Sequence, residues 1–149
     1  MNLLFTRTAL SIAAASTLLA VLPACTSKSS VPAADTVTSL QLSGDQEVPP
    51  VRTAASGKGT LTIAADGTVS GTVSTSDLKG TMAHIHEAVA GKNGPVVVTL
   101  SKATDSAWSV PSATKLTTEQ LASYRAGNMY VNVHTEANKD GEIRAQIKP

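Results

Sequence analysis

From Val37 onward, apolar and polar residues alternate along the chain in short runs. In "TVTSLQLSG", Thr38, Leu40 and Leu42 are set against polar neighbours, the period-two pattern of a half-buried strand. "DQEVPPV" follows, and Pro49-Pro50 has no N–H to give a ladder, so pairing ends there or the segment lies at an edge. In "GKGTLTIAADGTVSGTVST", Leu61 and Ile63 alternate with Thr60 and Thr62, and Val69, Gly71 and Val73 return after Asp66-Gly67. That arrangement predicts a hairpin closed by a two-residue turn. "GTMAHIHE" predicts the next strand, "AGKNGP" a loop and "VVVTL" an apolar strand. Around Trp108 the pattern weakens.

One segment departs from the β pattern. In "TTEQLASYRAGN", Thr117 and Gln120 have capping-box spacing, Leu121 and Tyr124 lie three apart, and Gly127 is placed to close a helix. "MYVNVHT" and "EIRAQI" then predict two strands joined through Asp140-Gly141 as a second hairpin. Seven or eight short strands with one short inserted helix predict an all-β fold, a Greek-key-like antiparallel β-sandwich or barrel.

The N-terminus follows different rules. Arg7 precedes an apolar run from Ala9 to Leu22, the layout of an export signal and too short for a stable membrane span. The run ends in Leu22-Pro23-Ala24-Cys25, which resembles a bacterial lipoprotein cleavage box, although proline is an unusual residue in its slot. Cys25 is the single cysteine, so no internal disulfide can form. The resemblance implies that residues 1–24 are removed and that the Cys25 thiol carries acyl chains, each buried methylene adding about 0.8 kcal/mol of membrane affinity. The alternative is a free thiol behind an ordinary signal peptide. Residues 25–36, small and polar around Pro32, predict a flexible tether, and residues 37–149 the folded domain. Thr26 rather than aspartate follows the cysteine, which favours an address at the outer membrane or cell surface of a bacterial envelope.

Charge narrows the partners. The 12 basic and 11 acidic residues are dispersed singly, leaving no basic footprint for nucleic acid or anionic lipid. Aromatic residues are too few to build a base-stacking surface.

Three histidines remain as candidate chemistry: His84, His86 and His134. Residues i and i+2 of a strand share a face. His84 and His86 therefore point together with Met82 beside them, while Ala83 and Ile85 point away; Tyr130, Asn132 and His134 share a face of the later strand. Since a sandwich core takes the apolar face, the histidine face is expected to be rimmed or exposed. Two readings follow. The rings share a metal ion, or they cap loop carbonyls such as those of the Gly91–Gly94 turn. Neutral imidazoles suit zinc, copper or nickel, and copper(II) binds most tightly. Met82 is a further soft candidate for copper(I), and the domain has no cysteine for a finger-type zinc site.

"LQLSGDQEVPPVRTAASGKGTLTI", "GTMAHIHEAVAGKNGPVVVTL" and "LASYRAGNMYVNVHTEANKDGEIRAQI" together resemble the CHRD (chordin) domain, from about Ser39 to Ile147. Ala145 and Glu87 stand where that family usually has glycine. A more distant similarity is to copper/zinc superoxide dismutases, sandwiches with a His-x-His pair followed by Glu and a later strand histidine, matched by His84, His86, Glu87 and His134. That likeness implies copper ligands at the three histidines and an anion-guiding role for Arg144, but the bridging fourth histidine, the disulfide and the zinc loop are absent. The leading expectation is a lipid-anchored module that captures or buffers copper through His84, His86 and His134, with Glu87 or Asn132 orienting the rings. A copper-dependent dismutase-like enzyme and a metal-free structural or adhesive domain are the alternatives.

Overall fold

The structure is a computed structural model and describes residues 35–149. The expected signal segment 1–24, Cys25 and the tether up to residue 34 lie outside the described residues. Nine strands and one α-helix follow: β1 Thr36–Ser43, β2 Ser56–Ile63, β3 Val69–Ser76, β4 Met82–Glu87, β5 Val96–Thr99, β6 Ser101–Thr104, β7 Ala107–Ser109, α1 Thr118–Arg125, β8 Met129–His134 and β9 Ile143–Ile147. Among the described residues, no helix is long and apolar enough to cross a membrane.

All pairings are antiparallel, in the order β5-β4-β8-β9-β1-β2-β3-β7-β6. The two edge strands, β5 and β6, are consecutive in the chain, with Leu100 between them. Leu100 N–H donates to Ala83 O at 2.9 Å. One stretch of chain thus forms both edges, so the sheet has to curl until they nearly meet, which removes the open edges that invite strand addition. The last strand, β9, returns to pair with β1. The expected all-β architecture with one short helix is the observed one.

Pleat alternation builds the core. Leu40 and Leu42 of β1, Leu61 and Ile63 of β2, Val69 and Val73 of β3, and Ile85, Val131 and Ile143 around the barrel are all buried. Full burial of such a side chain contributes about 1.5–3 kcal/mol. Trp108, 1% exposed, belongs to this core through β7. The weak alternation around it conceals a short hairpin, because all four β6 residues are exposed and supply no apolar signal. Gly80 is required beside it: a Cβ there would lie 2.3 Å from the Trp108 ring.

The β2–β3 hairpin differs from its expected form. Ile63 pairs with Val69, leaving Ala64–Thr68 as the connection rather than a two-residue turn. The Asp66 carboxylate is the reason. It accepts from Thr68 N at 2.9 Å and Thr68 Oγ1 at 3.1 Å, and pairs with Lys115 Nζ at 2.8 Å, an Asx-type turn that holds the wider loop. Helix α1 carries the expected capping box between Thr117 and Gln120 and buries Leu121 and Tyr124. Its C-terminus closes with Gly127 N donating to Tyr124 O and Asn128 N to Ser123 O, the bond pair of a Schellman motif.

The other face of β4, β8 and β9 carries His84 and His86, then Tyr130, Asn132 and His134, then Arg144 and Gln146. The sequence places this face at the rim or in solvent. Instead His84, His86 and His134 are 9%, 8% and 6% exposed, and Asn132 and Arg144 are fully buried. Residues of three connections, 44–55, 88–95 and 135–142, lie over it and bond to it. Loops without apolar periodicity enclose a second, polar interior outside the barrel core.

Candidate metal centre

Strand register decides which side chains meet. Across β4, β8 and β9, His84 faces Asn132 and Asn132 faces Arg144; His86 faces Tyr130 and Tyr130 faces Gln146; Met82 faces His134. His84 and His134 are therefore diagonal neighbours, within reach for long or aromatic side chains. Their rings are 4.8 Å apart between centroids, and His86 lies 5.5 Å from His84 and 6.1 Å from His134. One ring nitrogen from each of the three lies within 4.8 Å of the others.

The hydrogen bonds assign the protons. His134 Nδ1 lies 2.8 Å from Lys139 O and His86 Nδ1 lies 2.9 Å from Gly94 O. A carbonyl only accepts, so both Nδ1 atoms carry hydrogen, and in the neutral ring Nε2 then holds the lone pair. His84 Nδ1 then donates to His134 Nε2 across 2.9 Å. His86 Nε2 is buried and has no partner. An unsatisfied buried acceptor costs about 1–3 kcal/mol, and this one lies in the histidine cluster. The expected capping of loop carbonyls is therefore present at His86 and His134, but it uses one nitrogen of each ring and leaves the other for a ligand.

The electrostatics keep His84 and His134 neutral. Burial first, then the neighbouring His134 and His86, push His84 down from 6.5 to about 4. Burial also lowers His134, opposed by its bond to the Lys139 carbonyl. A neutral imidazole is the form that binds metal. Two nitrogens bound to one ion at about 2.0–2.1 Å lie at most about 4.2 Å apart. The widest pair here closes by upward of half an ångström to share an ion, a small turn of the rings.

Around the cluster the structure reassigns several residues. Glu87 forms no side-chain hydrogen bond to a histidine among the described residues, and Asn132 Nδ2 bonds Asp140 O at 3.3 Å. The rings are oriented by backbone carbonyls, of Gly94 and Lys139, which no side-chain pattern announces. Tyr130 stacks on His86 at 4.7 Å and 4° from parallel, and the Arg144 guanidinium lies 3.4 Å from the Tyr130 ring centroid on its own account. Arg144 also donates to Asn93 Oδ1, Lys92 O and Gln146 Oε1. At 1% exposure it is committed to holding the 88–95 loop over the site rather than presented to solvent to guide an anion. Glu47, absent from the sequence-derived site, is 5% exposed with Oε1 unpartnered. Burial raises its carboxyl to about 7 against the pull of Arg144. Its signal in the sequence was the acidic residue just ahead of Val48-Pro49-Pro50.

A barrel with a buried three-histidine cluster on its outer polar layer defines a domain able to hold a metal ion. The chain matches the CHRD domain over residues 38–147 and belongs to that family. No curated protein and no solved structure matches it. The likeness to copper/zinc superoxide dismutases rests on its quoted residues alone.

Proposed function

We propose that this CHRD domain is a copper-binding module, with His84, His86 and His134 as ligands, displayed in the cell envelope. The unpartnered Nε2 of buried His86 carries the reading, because a metal ion supplies the missing partner and the other two rings offer nitrogens beside it. On binding, the proton of His84 Nδ1 moves to Nε2 of the same ring, which frees Nδ1 and His134 Nε2 together. Net charge on the ligands does not change, so burial does not oppose the exchange. Copper is favoured over zinc and nickel by the position of copper(II) in the affinity order for nitrogen ligands. Anchoring through acylated Cys25 after removal of residues 1–24 belongs to the same proposal and rests on the sequence of that segment.

A ligand that binds only the folded state raises stability, by about 2.7 kcal/mol at a hundred times its Kd. Melting of the full chain with Cys25→Ser, with and without copper(II), is the test. A higher melting temperature with copper supports the module. Identical curves favour a metal-free structural domain. Copper-loaded chain that turns over superoxide no faster than free copper sets the dismutase reading aside.

A further inference from the structure

Met82 is an anomaly in this fold. It is 51% exposed, one of four large apolar side chains left in solvent among the described residues, so it does not serve as packing. Pleat parity places it on the histidine face of β4, and the register sets it directly opposite His134. Directly opposed residues of an antiparallel pair have Cβ atoms about 4.5–5.5 Å apart, and methionine has three rotatable bonds with which to aim its sulfur.

Met82 and His134 line the same cavity, of about 360 Å³, together with Thr81, Thr135, Glu136 and Lys139. The cavity therefore leads from solvent to one of the three clustered rings, and the exposed thioether stands in its wall. The carbonyl of Lys139 accepts from His134 Nδ1, which leaves His134 Nε2 facing His84. An ion entering here meets a soft sulfur and a neutral imidazole before it reaches His84 and His86.

We propose that Met82 is a fourth, thioether ligand that makes this a copper(I) site, loaded through the cavity beside His134. The inference rests on the three-histidine reading and adds the oxidation state of the cargo. Thioether sulfur prefers copper(I) to the harder divalent ions, so Met82 adds a discrimination between oxidation states that three imidazoles alone do not supply. No redox step is required: the ion binds as copper(I) and leaves as copper(I).

The test compares the full chain carrying Cys25→Ser, which removes the competing thiol, with the same chain carrying Met82→Leu. Leucine keeps the volume, and the exposed position leaves the fold intact. Affinities for copper(I), under anaerobic reducing conditions, and for copper(II) are measured on both, with X-ray absorption at the copper edge as a second readout. The expected result is a copper(I) affinity weaker in Met82→Leu by about tenfold or more, the scale on which sites respond to loss of a supporting group. Copper(II) affinity stays within about twofold, and a copper–sulfur scattering path present in the parent disappears from the variant. Equal copper(I) affinity in both, or no sulfur path in the parent, overturns the role of Met82 and leaves the histidine site standing. A parent that binds neither oxidation state overturns both readings.

Discussion

His84 Nδ1 and His134 Nε2 lie 2.9 Å apart, one proton between two neutral rings, inside a layer that loops largely cover. A charge on His134 breaks that arrangement, since both nitrogens would then be donors. Burial first, then the adjacent rings, hold His84 at about 4 against 6.5 in the unfolded chain. Between these values the unfolded state binds more protons than the folded one, so stability falls as pH drops through the window. The metal-free chain is expected to melt at progressively lower temperature from pH 6.5 towards pH 4. His84→Gln should flatten that dependence, as read by calorimetry over the same range. Parallel pH profiles for the two chains would contradict the neutral pairing.

Glu47 works in the opposite sense. Its carboxyl is raised from 4.5 to about 7, chiefly by burial. The folded state therefore holds a proton that the unfolded state has released, and the associated stability is lost as pH rises from 4.5 to about 7. Glu47→Gln keeps the shape without the ionisation. The variant is expected to gain on the parent steadily across that window and then hold a constant advantage above it, measured as the difference in melting temperature. A difference independent of pH would mean that Glu47 is ionised in the folded chain throughout.

Gly94 connects the loop to the site. A Cβ at this position would lie 1.9 Å from Glu87 O, a backbone atom that cannot step aside. Gly94→Ala is expected to push the 88–95 connection outward and break the bond from His86 Nδ1 to Gly94 O. Loss of a hydrogen bond that orients a metal-binding histidine costs about 10–100-fold in affinity, with a stability loss of about 1–3 kcal/mol from overpacking. Copper titration and chemical denaturation of the variant read the two effects separately. Metal affinity at the parental level would show that the Gly94 carbonyl does not position His86.

The parts of this molecule governed by short-range periodicity were legible in the chain. Alternation in "MAHIHE" and "MYVNVH" put His84, His86 and His134 on the face opposite Ala83, Ile85, Val131 and Val133, and the register of β4 on β8 brought them together as that parity required. Thr117 and Gln120 marked the helix start by a mechanism confined to one turn. What escaped was whatever depends on loops closing over a surface. Nothing in the polarity of Asn132 or Arg144 announces that residues 88–95 and 135–142 fold back and bury them. The orienting partners of His86 and His134 are main-chain carbonyls, which every residue carries. Glu47 becomes unusual only once Arg144 and the buried layer surround it. Strand β6 escaped for a simpler reason: with every side chain exposed, it has no apolar face to alternate.

The central claim is that three rings bind one ion, and His86 is the ligand whose free nitrogen motivates it. The most direct measurement is equilibrium binding of copper(II) to the full chain carrying Cys25→Ser, beside the same chain with His86→Ala. The account predicts one ion per parent chain and an affinity lower by about tenfold or more in the variant. Equal affinity in the two chains, or a parent that binds copper stoichiometrically in neither oxidation state, would contradict it.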